Sequence, residues 1–63
     1  MDPNATWLAI ESSDSRAETA DLCISLIEWI DKGGFLPDIA KDTGRSEFRR
    51  VLVTMLTLAT MTN

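Results

Sequence analysis

The sequence predicts an all-α fold in which a short N-terminal helix precedes a helical hairpin, all within a single small domain that spans residues 1–63. Two stretches carry apolar residues at helical spacing, and residues that start or end helices flank each of them. No stretch alternates apolar and polar residues as a half-buried strand does. A chain this short buries only roughly 60% of the surface that it exposes when unfolded, so we expect one small core that needs further support.

The first predicted helix begins at Pro3 and runs to about Glu11. Asp2 can accept hydrogen bonds from the free amides of the first turn, and the fixed φ of proline suits the first helical position. The larger apolar residues cover one side of this helix only in part, and they are Trp7, Leu8 and Ile10. A helix of about three turns does not persist alone, so we expect it to pack as a lid on the other two helices.

The second predicted helix carries the clearest signals. Ser15, with Glu18 three residues later, forms a capping-box pattern. The helix ends after Lys32, because Gly33 and Gly34 can take the left-handed conformation that closes a helix. An arc of about 180° on this helix is apolar and requires burial. Its residues are Ala20, Leu22, Cys23, Leu26, Ile27, Trp29 and Ile30.

The connection to the third helix contains Phe35 and Leu36, and we expect both side chains to fold back against the core. The residue before the following proline favours extended geometry, so the second helix cannot continue. Residues 38–41 are predicted to form one helical turn, and Ser46 is predicted to cap the third helix. The third helix has an apolar arc of about 160°. Its residues are Phe48, Val51, Leu52, Met55, Leu56, Leu58 and Ala59.

Association is the remaining means of support for so small a core. Cys23 is the single cysteine and the chain has no histidine, so neither an intramolecular disulfide nor a four-ligand zinc site is available. Both apolar arcs exceed the stripe of roughly 100° with which a surface helix faces one core. We therefore expect a homo-oligomer, with a dimer favoured, and a different protein partner stays open. The predicted interface residues are Trp7, Leu22, Leu26, Trp29, Ile30, Phe48, Val51, Leu52, Met55 and Leu58.

Composition also limits the classes of function. The chain has no histidine and no tyrosine, and it has no glycine-rich phosphate loop, so we predict a non-enzymatic protein without a catalytic, cofactor or metal site. Cys23 is interpreted as a small apolar core residue. The net charge of −4 argues against a nucleic-acid partner, since phosphate binding needs a basic surface. The unpaired thiol predicts a cytoplasmic location. The lack of a signal-peptide pattern, and of an apolar run of about 20 residues, gives no reason to expect a membrane partner.

Two alternative functions stay open beside association. Within residues 36–53, Ala40 precedes Gly44 by four residues, and three arginines follow early on the next helix. This arrangement resembles the helix-turn-helix of transcriptional regulators, which implies that the arginines contact DNA. The resemblance departs at Arg45, where that family has an apolar residue. The candidate DNA-contacting residues are Arg45, Arg49 and Arg50. Binding to a membrane surface through the C-terminal helix, residues 51–63, is the second alternative.

A further resemblance rests on two short segments. The chain opens with Met1-Asp2-Pro3-Asn4, and after its long helix it carries a tryptophan, two glycines, a phenylalanine and a proline; these are Trp29, Gly33, Gly34, Phe35 and Pro37. In these features it resembles a group of short bacterial and phage-encoded proteins that have no assigned activity. The resemblance covers residues 1–37 at most. It implies a bacterial or phage source and a helical hairpin, and it brings no reaction or partner.

Overall fold

The computed structural model describes residues 1–61 and confirms the all-α fold with three helices. The helices are α1 (Pro3–Ser12), α2 (Arg16–Asp31) and α3 (Arg45–Thr60), and a single 3₁₀ turn (Asp38–Ala40) lies between α2 and α3. No strand is present among residues 1–61. The predicted bounds of α1 and α2 are confirmed to within one residue, as is the helical turn in the connection.

Side-chain caps fix the starts of the first two helices. The Asp2 carboxylate accepts a hydrogen bond of 2.9 Å from the backbone N–H of Asn4. The Ser15 hydroxyl oxygen accepts from the N–H of Glu18 at 3.3 Å, and the N–H of Ser15 itself donates to the Ser13 hydroxyl. Only one half of the predicted capping box therefore forms, since Ser13 takes the bond that a glutamate side chain usually makes.

Two glycines close the C-terminal end of α2, as the sequence predicts. Gly33 has φ 93°, a left-handed conformation that L side chains rarely adopt. Its N–H donates to the carbonyl of Ile30, and the N–H of Gly34 donates to the carbonyl of Trp29. This pair of bonds is the Schellman arrangement, which satisfies carbonyls that would otherwise lack a partner at the helix end.

The connection after α2 folds around the Trp29 indole. Its Nε1–H donates to the Phe35 carbonyl at 2.9 Å, and the two aromatic rings meet edge to face with centroids 5.6 Å apart. Leu36 packs against the core as predicted. The same prediction is wrong for Phe35, whose side chain is 60% exposed. The indole already covers this end of the core, so the Phe35 ring lies outside it.

The start of α3 differs from the predicted cap at Ser46. The helix begins at Arg45, and Gly44 is the N-cap residue with φ −62° and ψ 148° but no side-chain bond. The Arg45 Nη2 donates to the carbonyl of Ile30 at 2.8 Å and to that of Gly34 at 2.7 Å. These bonds anchor the first residue of α3 to the end of α2, which explains why the helix starts before the serine.

The core lies where α1 and α3 both pack on α2. Trp7 of α1 also reaches Phe48 of α3, with ring centroids 5.6 Å apart, so α1 contacts both other helices. The Asn4 side-chain oxygen accepts from the N–H of Asp38 at 2.6 Å and ties α1 to the 3₁₀ turn. The buried apolar residues are Ile10, Ala20, Cys23, Leu26, Ile27, Ile30, Ala40, Phe48 and Leu52.

The chain covers the apolar arc of α2 but not that of α3. Every residue of the α2 arc is buried or half-buried. On α3, the residues at 48, 52, 55 and 59 are turned toward the core, whereas Val51 and Leu58 are exposed. The predicted α3 arc is therefore too wide. Packing against α2 uses one side of α3, and α1 is too short to cover the neighbouring flank.

Candidate functional site

Four of the predicted interface residues belong to the core of the single chain. Leu26, Ile30, Phe48 and Leu52 are all buried there. Contact with a second copy would require this core to open. These residues hold α2 and α3 together, and a partner can be reached only by residues at the edge of the core or outside it.

Four others lie half-buried at the edge of the core, namely Trp7, Leu22, Trp29 and Met55. Trp29 has its indole N–H satisfied by the Phe35 carbonyl. The indole nitrogen of Trp7 is buried and has no hydrogen-bond acceptor within residues 1–61. Met55 is the only one of the four on α3, and it lies next to the exposed residues Thr54 and Leu58 of that helix.

The remaining two predicted interface residues are exposed on α3. Val51 is 45% exposed and Leu58 is 62% exposed, and Met61 directly after the helix is 55% exposed. Thr54 is exposed between them. The four positions follow one another at intervals of three, four and three residues. Val51, Thr54 and Leu58 therefore lie along one side of α3, and Met61 is the extended residue that caps the end of the helix. We call residues Val51, Thr54, Leu58 and Met61 the outer stripe.

The outer stripe lies on a part of α3 that has no charged side chain. After Arg50 the sequence has no acidic or basic residue. Thr54 donates its hydroxyl hydrogen to the Arg50 carbonyl at 3.0 Å, and Thr57 donates to the Val53 carbonyl at 2.8 Å. Such bonds to the helix's own backbone leave no threonine donor that needs water. This surface can therefore be covered without burying an unsatisfied hydroxyl donor.

A groove opens beside the outer stripe at the C-terminal end of α3. It has a volume of about 350 Å³, and Leu58 belongs both to its wall and to the stripe. The Arg16 guanidinium donates to the Met61 carbonyl at 3.3 Å and joins the start of α2 to the end of α3. The lining residues are Ser13, Asp14, Ser15, Arg16, Thr19, Met55, Leu58 and Ala59. Sequence reasoning missed the five polar ones, since only the fold brings the α1–α2 loop and the start of α2 to α3.

Two of the three candidate DNA-contacting arginines are engaged within the chain. Arg45 binds backbone carbonyls at the end of α2, and Arg49 forms a salt bridge of 2.8 Å with Asp31. This hydrogen-bonded pair lowers the pKa of the Asp31 carboxyl. Arg50 is exposed and has no ion pair within residues 1–61. The first helix of the proposed helix-turn-helix is only the 3₁₀ turn (Asp38–Ala40).

Cys23 lies in the core, where its side chain is fully buried. Burial raises the pKa of its thiol, whereas a reactive cysteine needs a lowered pKa and access to solvent. Within residues 1–61, no group of three or more cysteine or acidic side chains is placed to hold a metal ion. The described residues thus offer no arrangement with an evident chemistry, and the outer stripe with its groove is the candidate site.

Nowhere in residues 1–61 does a helix combine the length and the apolar character needed to cross a bilayer. Comparison of the chain with protein-family models, with curated proteins and with solved structures gave no match. The resemblance to short bacterial and phage-encoded proteins thus stays a prediction, and any function must be argued from the geometry of the chain itself.

Proposed function

We propose that this protein is a non-enzymatic association module that forms a homodimer through the outer stripe of α3. The observation that carries the proposal is an exposed side of α3 with Val51 and Leu58, followed by the exposed Met61, and with no charge after Arg50. Solvated sides of helices usually carry charged residues, and contiguous exposed apolar residues mark interaction surfaces. A second copy supplies a surface of the same character, so the stripe is complementary to itself.

The dimer is expected to be reversible, because the single chain already has its own core. A standard interface buries about 800 Å² on each partner, which is roughly a fifth of the 4228 Å² surface of this chain. The 16 residues of α3 span only about 24 Å. One helix side of that length gives an interface at the small end of the range, and such contacts form and separate readily.

The DNA-binding alternative has less support. Arg45 and Arg49 already have partners within the chain, so Arg50 is the only one of the three available for a phosphate. A recognition helix also needs a preceding helix that crosses the DNA backbone, and a single 3₁₀ turn does not provide one. The net charge of −4 further opposes phosphate binding.

The test is the molar mass in solution, measured by sedimentation from about 1 μM to about 1 mM, which covers dimerisation free energies of about −8 to −4 kcal/mol. The expected result is a rise from 7.0 kDa toward twice that value. Leu58→Asp places a charge on the stripe and is expected to stay monomeric. Leu8→Asp is the matched control, because Leu8 is 64% exposed but lies on α1, and it should dimerise like the natural chain.

Circular dichroism serves to check that both variants keep the helical fold. Both positions are exposed, so neither substitution is expected to unfold the chain. A mass of 7.0 kDa at every concentration, or the same mass curve for both variants, overturns the proposal. The measurement is repeated with a short DNA duplex and with anionic phospholipid vesicles. A complex that forms only with duplex or only with vesicles would reject self-association in favour of that other class of partner.

A further inference from the structure

The direction in which two copies pair follows from the spacing of the outer stripe, and this inference rests on the proposed dimer. We infer that two α3 helices pack antiparallel as a short coiled coil, with Val51 of one copy beside Met61 of the partner subunit. Thr54 then lies beside Leu58 of the partner subunit. The two-fold symmetry repeats both contacts, which gives four layers of side chains.

The spacing of the stripe is that of a coiled-coil seam. Positions 51, 54, 58 and 61 alternate steps of three and four residues, which is the heptad pattern of inward-facing positions. A second set with the same alternation, at 48, 52, 55 and 59, is turned toward the protein's own core. The helix α3 therefore has two seams, and within residues 1–61 only the core-facing seam is occupied.

Glu47 decides between the two directions of pairing. It lies four residues before Val51, so it continues the same seam by one position, and it is exposed. A parallel dimer places Glu47 directly beside its copy in the seam, where two like charges repel each other. In the antiparallel dimer each Glu47 lies beyond the last layer and remains in water, so this repulsion is absent.

The distribution of charge over the whole chain favours the same direction. The first turns of α3 carry three arginines, at 45, 49 and 50, and one carboxylate, Glu47, and Arg49 is paired with Asp31. This end is therefore only weakly positive, while the opposite end of the molecule is negative, with four carboxylates and one arginine. These are Glu11, Asp14, Glu18, Asp21 and Arg16. Antiparallel pairing places the arginine-rich end of each helix beside the acidic end of the partner subunit. Parallel pairing brings like ends together and aligns the two helix dipoles.

Cysteine crosslinking tests the direction. Val51→Cys and Met61→Cys are made separately, and each is oxidised alone and as an equal mixture. In the antiparallel dimer the two copies of residue 51 are about 15 Å apart along the axis, too far for a disulfide, whose Cα atoms lie within roughly 7 Å. The expected result is a crosslinked dimer from the mixture and less than about a tenth of that yield from either variant alone. The natural chain is the control, since its Cys23 is fully buried.

Crosslinking of each variant with itself, without a disulfide between residues 51 and 61 in the mixture, would overturn the antiparallel arrangement while leaving the proposed dimer intact. A dimer by sedimentation that forms no crosslink in any sample would show that the interface lies elsewhere. Glu47→Leu in both cysteine variants tests the role of the glutamate, and self-crosslinked product is expected to appear because the parallel dimer loses its repulsion. An unchanged product pattern would refute that role.

Discussion

Gly34→Ala tests how the end of α2 is closed. A Cβ atom at Gly34 would lie within 2.5 Å of three atoms of the Trp29 indole, so the ring must move by more than 1 Å to reach ordinary contact. Such a shift breaks the indole hydrogen bond to the Phe35 carbonyl, at a cost of about 1 kcal/mol. Overpacking destabilises the fold by about 1–3 kcal/mol more. Alanine also reduces the conformational entropy of the unfolded chain, which stabilises the fold by about 0.4–1 kcal/mol. The net loss of unfolding free energy is about 2 kcal/mol.

The assay is thermal and urea unfolding followed by circular dichroism. In a domain of this size a loss of about 2 kcal/mol lowers the Tm by roughly 10 °C. Gly44→Ala is the size-matched control, because a Cβ there meets no atom within 4 Å, and its effect should stay within about 0.5 kcal/mol. Equal changes for the two variants would refute the assigned packing of the indole on Gly34.

Two further changes act on α3. Gly44→Ser supplies the side-chain cap that this helix lacks and forms a capping box with Glu47. We expect the free energy of unfolding to rise by about 0.5 kcal/mol and the Tm by about 3 °C. A lower Tm would contradict the cap geometry. Arg49→Gln removes the salt bridge to Asp31 and should lower the Tm at pH 7. The pKa of Asp31 is lowered in the folded state, so this contribution is complete above about pH 5 and is lost as the pH falls through the folded-state value. An equal Tm difference at pH 7 and about pH 2.5 would exclude the pair as its source.

The features that the sequence predicts correctly are those decided within a few residues. Asp2 and Ser15 each cap a helix through amides two or three positions away. Gly33 and Gly34 close α2 through carbonyls of the preceding turn. The burial of one side of α2 also follows from local spacing, since α2 is packed by both other helices and its whole apolar arc is covered.

The predictions that failed depend on contacts between distant residues. Ser46 has the side chain that an N-cap favours, but the bonds from Arg45 to the end of α2 decide where α3 begins. Phe35 is apolar, but the Trp29 indole already occupies the position at this end of the core that it would have filled. Neither outcome can be inferred from residue type or spacing, because each needs the relative placement of two elements.

The candidate site also depends on both local spacing and contacts between distant residues. On a helical wheel the core-facing residues Phe48, Leu52 and Met55 merge with Val51 and Leu58 into one wide arc, and spacing alone assigns all of them to a single surface. The fold separates them, because α2 covers one seam of α3 and leaves the other exposed. The heptad intervals of the outer stripe are visible in the sequence. They indicate a separate interaction surface only once the core-facing seam is known to be covered by the rest of the chain.

In the proposed dimer, this separation allows so small a chain to fold and to associate with the same helix. Leu52 is fully buried and stabilises the single chain, whereas Leu58, six residues later, is mostly exposed and contributes little to the core. A charge at Leu58 therefore alters the surface without opening the core. An interface that shared the core residues would make folding depend on protein concentration, as in obligate dimers. Two adjacent seams on one helix avoid this dependence, so the monomer is expected to stay folded when the proposed dimer separates.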